Sequence, residues 1–302
     1  MAAPFTTYDV GSTGGNREDL LDFITNIDPV ETPMFSNFGR GTAQGTLHEW
    51  LNDTLAAASS NAVIEGSSAA YGDLTNRTRS GNYTQIMRKT FDVSDTQDAV
   101  NKAGIPGREF DYQAMKAAKE LARDVEWNII NSTSASGSES VARKMRGVDA
   151  SVTTNVTAAG SSALSGLEDS HFNKVLQLCW VAGGRPGSVY CNAFNKRQIS
   201  LFTAGTTKFT AVKDAPLKTL IRGVDVYDSD FGRLVVYPDR HVDADTVYIL
   251  EDARFKVSYL RPTKKEELAR IGSSHRGMIE AELTLEILAE TSSGVITGTS
   301  TS

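Results

Sequence analysis

Between Arg108 and Asn131, apolar residues return every three or four positions, at Phe110, Ala114, Ala117, Leu121, Val125 and Ile129. That spacing predicts an amphipathic helix with one apolar stripe and charged residues on its other faces. Glu120 and Arg123 are placed to pair one turn apart. Pro106 and Gly107 stand just ahead, where a helix can begin but hardly extend backwards. Residues 132–138 then contain no helix former except Ala135, so the pattern stops there. About 24 residues at 1.5 Å each make a rod of roughly 36 Å. Its charges leave too short an apolar run for a membrane span. A rod of that length needs a long partner.

The period changes to two near the C-terminus. In MIEAELTLEILA, Ile279, Ala281, Leu283, Leu285 and Ile287 point one way, while Glu280, Glu282, Thr284 and Glu286 mostly point the other. About eleven such residues at 3.3 Å span roughly 36 Å, which matches the helix and predicts that this sheet buries its stripe. Phe255, Val257 and Tyr259 alternate in the same way with Arg254, Lys256 and Ser258. Thr263-Lys264-Lys265-Glu266 fits a capping box, but also a strand that turns back at Gly272-Ser273-Ser274; the hairpin is the expectation taken. GVDVYDSD and GRLVVYPD predict short strands. Upstream, LEDSHFNKVLQLCWVAGG returns to helical spacing, with Phe172, Val175, Leu176 and Cys179 on one face and Gly183-Gly184 as the stop. SVYCN and AFNKRQISLFTAG add a strand and a helix to a compact α/β block.

The first hundred residues are less regular. Asn16 can cap a short helix carrying Leu20, Leu21, Phe23, Ile24 and Ile27, which Pro29 and Pro33 end. Met34, Phe35 and Phe38 follow without a period, so this stretch is expected to lean on something else. Between Thr46 and Asp95, Met87, Phe91 and Val93 oppose Arg88, Thr90, Asp92 and Ser94. TLHEWLNDTL, with Leu47, Leu51 and Leu55, is the expected partner strand. The small, polar residues between them fit a disordered insert as well as an arm that folds against a neighbour.

Composition narrows the function. The 302 residues, 40% hydrophobic and 23% charged, suffice for one or two domains with a true core. A net charge of −6 gives no overall basic field toward nucleic acid or anionic lipid. Two cysteines are too few for a disulfide framework, and Cys179 reads as a buried thiol. MAAPFTTYDV has neither a basic nor an apolar leader region, so no secretory signal is expected.

Candidate chemistry is thin. His48, His171, His241 and His275 are widely spaced and no Cys-x-x-Cys occurs, so no metal site is expected. Asp228-x-Asp230 and Asp243-x-Asp245 suit turns better than a hard cation. Gly183-Gly184-Arg185-Pro186-Gly187 lacks the Gly-Lys-Ser/Thr ending of a phosphate loop and follows a helix instead of a strand. Arg143, Lys144 and Arg146 read as solvated loop cations. Glu280, Glu282 and Glu286 resemble paired carboxylates for acid–base work, but on an amphipathic strand a solvated or inter-subunit face is the expectation. Arg77 and Arg79 read as ion-pair partners of a neighbour. No catalytic residue and no cofactor are expected.

Several stretches carry a family resemblance: ETPMFSNFG with TLHEW, ARKMRGV after the long helix, NKRQIS, GVDVYDSDFGRLVVYPDR, EDARFKVSYLRP and EAELTLEILAE. In these and in the order of its parts, the chain resembles the major capsid protein of tailed bacteriophages, with its Hong Kong 97-type fold. The resemblance implies an α+β protein with an N-terminal arm (1–45) and an extended loop (46–95) that is a β-hairpin lying over the adjacent subunit. A peripheral domain (96–166 and 241–302) would carry the spine helix 108–131, and an axial domain (167–240) would sit at the capsomer centre. It implies self-assembly into the hexamers and pentamers of an icosahedral or prolate shell. That shell would enclose double-stranded DNA without sequence-specific binding, with portal, scaffold and cement or decoration proteins as partners, no membrane, and no enzymatic activity. Inter-subunit contacts would fall on Arg77, Arg79, Glu280 and Glu282, in a virion assembled in the host cytoplasm. The founder of the fold cross-links neighbours through a lysine on the extended loop; here the only lysine between Thr46 and Asp95 is Lys89, near the loop base. The alternatives are an encapsulin-like compartment of the same fold and a carbohydrate-active enzyme using the strand carboxylates.

Overall fold

The computed structural model describes residues 29–69, 71, 72, 74, 76–102, 105, 107–159, 167–202 and 226–299. The short helix expected from Asn16 lies outside them.

The predicted spine is α3, Glu109–Asn131, a 23-residue helix. All six stripe residues are buried, Ile129 completely. Glu120 pairs with Lys116 one turn back (3.9 Å), where the spacing had predicted Arg123. The stripe packs on a four-stranded sheet of order β1-β10-β11-β4, made of β1 (Gly39–Thr42), β10 (Phe255–Leu268), β11 (Ser274–Ile287) and β4 (Gln85–Ser94). β1 runs parallel to β10; the other pairs are antiparallel. Val257, Ile279, Ala281, Leu283 and Leu285 share one core with Leu121, Val125 and Ile129. The long hairpin at Gly272 forms as expected, with Gly272 at φ +70, a conformation that side chains with a Cβ rarely adopt.

One pairing differs from the sequence reading. The strand β2 (Leu47–Asn52) pairs antiparallel with β3 (Thr78–Tyr83), not with the 87–94 stretch. The latter is β4, and its Met87 and Val93 are buried in the main fold. The apolar face that seemed to belong to the loop belongs to the core, leaving β2 and β3 as a separate two-stranded sheet. A second surprise is α1 (Pro33–Asn37), where no period was legible. Proline suits its first turn because the missing N–H would be unpaired there anyway. Met34 is fully buried, and Phe38 stacks on Phe255 at 5.0 Å, so two anchors replace a period. The short α2, Asp95–Ala99, follows β4 directly, capped by the Ser94 hydroxyl on the Gln97 N–H.

A second sheet of six strands runs in the order β5-β12-β9-β6-β8-β7. It comprises β5 (Val156–Ala158), β6 (Ser188–Cys191), β7 (Val226–Ser229), β8 (Gly232–Pro238), β9 (Val247–Leu250) and β12 (Gly294–Thr297). Against it lie α4 (Asp169–Val181) and α5 (Ala193–Ile199). Phe172, Val175, Leu176 and Cys179 of α4 meet Val189, Cys191, Ile249 and Ile296 in one core. The glycine run after α4 serves packing: a Cβ on Gly184 would lie 2.4 Å from the Ser292 Cα, so only glycine allows the approach.

Candidate assembly site

The described residues between 53 and 77 leave the body between β2 and β3, and almost nothing among the described residues covers them. Leu55 is 99% exposed, Tyr71 97%, Leu74 94%, Ile64 83% and Val63 80%. Five large apolar side chains on one excursion are thus left open to solvent by the rest of the described chain. Where the excursion leaves the strands, Arg77 faces Asp53 (3.4 Å) and Arg79 faces Glu49 (3.6 Å), all well exposed. Such pairs contribute only about 0–1 kcal/mol each, so they do not hold the excursion to the body.

The base of the hairpin is built differently. Asn82, almost fully buried, donates to the carbonyls of Leu285 (2.8 Å) and Arg146 (3.0 Å) and accepts the Arg146 N–H (2.7 Å). Gln85 donates to Asn128 Oδ1 (2.9 Å) on the spine helix and accepts the Met145 N–H (3.2 Å). Thr84 donates its hydroxyl to Glu282 Oε1 (2.8 Å) and its N–H to the Thr46 carbonyl (2.8 Å). The hinge between β3 and β4 is therefore pinned to α3, β11 and the 143–146 loop at once.

Glu280 and Glu282 come together on the face of β11 away from the helix. Arg261 reaches both, Glu280 at 2.6 Å and Glu282 at 2.9 Å. Arg143 adds 2.7 Å to Glu282, and Arg88 pairs with Glu280 across the β4–β11 ladder. The Arg88 hydrogen bond, helped by Arg261, holds Glu280 below the usual carboxylate range. Burial pushes Glu282 upward, but the Thr84 hydroxyl, Arg261 and Arg143 together outweigh it and the net shift is downward. Glu286 takes His48 (3.3 Å) and the Ser258 hydroxyl (3.0 Å). A glycosidase acid needs a carboxyl raised toward neutrality, whereas Glu280 and Glu282 are both held below the usual range, so neither is tuned as such an acid. The sequence reading of Arg143 and Arg146 as solvated is also corrected: Arg143 is half-buried on Glu282, and Met145 between them is fully buried.

Asn82, Thr84 and Gln85 were not singled out, because TRSGNYTQ reads as polar loop. Glu126 on α3 was missed too, since it stands beside the apolar stripe like any flanking charge. It is fully buried, accepting the N–H groups of Met34 (2.8 Å) and Phe35 (2.7 Å). Cys179 and Cys191 are buried free thiols, pushed by burial to about 11 and about 12. Among the described residues, no three His, Cys, Asp or Glu side chains gather as a metal site, and no helix is long and apolar enough to cross a membrane.

A body with a pinned hinge and an uncovered arm is a subunit of something larger, and comparison with known proteins says of what. The family model of the SU10 major capsid protein matches residues 5–300. The chain belongs to the SU10 major capsid protein family. It is a major capsid protein of a tailed bacteriophage, part of the virion, and capsid proteins associate with copies of themselves. The major capsid protein of Escherichia phage Phieco32 is 26% identical over 98% of this chain and 97% of its own. Among solved structures, the capsid of a native GTA particle superposes with a TM-score of 0.69 at 9% identity, covering 99% of this chain and 100% of that one. The holo-SrpI encapsulin complex from Synechococcus elongatus gives 0.59 at 9% identity, covering 100% and 98%. This capsid protein has the Hong Kong 97-type fold, and at such identities the structural likenesses speak for the fold alone.

Proposed function

We propose that copies of this capsid protein close into an icosahedral or prolate shell of hexamers and pentamers around double-stranded DNA. In this reading the 53–77 excursion lies on the adjacent subunit. The observation that carries it is the set of uncovered apolar residues from Leu55 to Leu74, which only a partner surface can bury. Arg77 and Arg79 then meet carboxylates next door. The half-exposed arginines that clamp Glu280 and Glu282 present a second contact edge. DNA is enclosed without sequence-specific grip, which a net charge of −6 supports. Portal, scaffold and cement or decoration proteins complete the particle, which assembles in the host cytoplasm.

The division into an N-terminal arm (1–45), an extended loop (46–95), a peripheral domain (96–166 and 241–302) and an axial domain (167–240) is part of the proposal. Two cores, one under α3 and one under α4, support two units, although Tyr190 joins the first and Ala159, Val247, Ile249 and Ile296 join the second across those bounds. β5, β9 and β12 reach from the peripheral ranges into the six-stranded sheet, tying the two together. The encapsulin alternative rests on likeness of fold, whereas the phage reading also has a family match and a full-length relative behind it.

The test replaces residues 55–74 with a short Gly/Ser linker that preserves β2 and β3. The variant is expected to stay folded and soluble by circular dichroism and to form no shells by electron microscopy. Normal shells from it would refute the role given to the excursion.

A further inference from the structure

Among the described residues, no cation forms an ion pair with Glu126. Its carboxyl sits fully buried on α3 and caps the first turn of α1 through the Met34 and Phe35 N–H groups. The group facing it is another carboxyl, Asp239, only 3% exposed. Asp239 Oδ1 accepts the His241 N–H (2.8 Å), while Oδ2 is buried with no hydrogen-bond partner. Two buried carboxylates cannot both stay ionised in contact, and a lone buried acceptor calls for a donor. A proton on the pair answers both demands.

Among the described residues, the charged groups nearby are engaged elsewhere or stand off from the pair. The turn after β8 brings, besides Asp239, the exposed Arg240 and the half-buried His241, whose backbone is what Asp239 holds. Arg40, after α1, lies over the Phe35 ring at 4.0 Å. On α3 itself, Asp124 is paired with Lys89 and Arg123 lies one turn back, partly exposed. Lys196 of α5 acts on neighbouring Cys191 and donates to the Val236 carbonyl. Asp252 reaches α1 only through Tyr190 and Asn37.

We infer that Glu126 and Asp239 share one proton and form a latch that holds α1, residues 33–37, on the spine helix, and that loss of this proton releases it. With the proton in place, one carboxyl donates to the other and both α1 N–H groups keep their acceptor. Without it, two like charges face each other inside the core, and the segment that can move away is α1, which is five residues long and held at its start by Glu126. Burial and the Asp239 charge raise Glu126 from 4.5 to about 8. The sign follows: a carboxyl raised in the closed state favours closure fully below about pH 4.5, and that contribution is lost as pH rises to about 8. The device therefore works at neutral to mildly alkaline pH, not in acid.

Hydrogen–deuterium exchange of the 33–38 peptide in the full-length protein tests it, after correction for the intrinsic pH dependence of exchange. In the wild type, opening should rise about tenfold per pH unit from about 6 to about 8 and level off above. Glu126→Gln keeps one acceptor and carries a permanent donor toward Asp239; Asp239→Asn offers the donor from the other side. Both variants should flatten the profile, whatever each does to overall stability. A wild-type profile that is flat, or a slope unchanged in both variants, would overturn the latch.

Discussion

Leu121 stands midway along the spine helix, 2% exposed, in the core shared by the helix and the long sheet. Truncation to alanine removes three methylene-sized groups from a site bounded by two rigid elements. Leu→Ala changes in cores cost about 2–5 kcal/mol, and the upper half applies where neighbours cannot collapse into the cavity. Met87 on β4 and Ile279 and Ala281 on β11 are fixed by ladder hydrogen bonds, so collapse is restricted. A loss of about 3–5 kcal/mol, at about 2–4 °C per kcal/mol, lowers the unfolding midpoint by on the order of 10 °C. The assay is thermal denaturation of unassembled subunits at fixed concentration, because association adds its own stabilisation. Met115→Ala, on the same helix but 62% exposed, is the control and should move the midpoint by about 1–2 °C. Equal midpoints for the two variants would mean that the buried face has been assigned wrongly.

Glu282 should make the subunit acid-sensitive. Its carboxyl is held below its ordinary value, so its contribution is present above about pH 4.5 and lost as pH falls through the lowered value. Glu282→Gln should therefore cost stability at pH 7, and that cost should shrink as the pH falls below about 4.5; a cost that does not change on acidification would refute the ionised clamp. Assembled particles should carry no covalent cross-link through the extended loop, because its only lysine, Lys89, lies in β4 and is paired with Asp124 at 2.7 Å. After boiling in detergent, a gel should show one band near 32.6 kDa, and a ladder of higher oligomers would contradict this.

The helix and the long strands were legible because each carries a single unbroken period over many residues, and burial on one face imposes that period. β4 was legible as a strand but not by partner: alternation says which face is buried, not which strand lies beside it. α1 escaped because five residues are too few for a period, and its position depends on Glu126, 92 residues away. The site divided in the same way. Glu280 and Glu282 stood out by alternation, yet their arginines come from β4, β10 and the loop after α3, which no local pattern joins. Asn82, Thr84 and Asp239 act through buried hydrogen bonds whose partners are distant in the chain. Polar residues of this kind look the same in sequence as those of any surface loop.

Electron microscopy of the purified full-length protein, concentrated at neutral pH, tests most directly whether the uncovered excursion exists to join copies of this chain. Closed shells or ring-shaped capsomers are the expected images. A monodisperse monomer at every concentration, with Leu55, Tyr71 and Leu74 still open to solvent in footprinting, would contradict it.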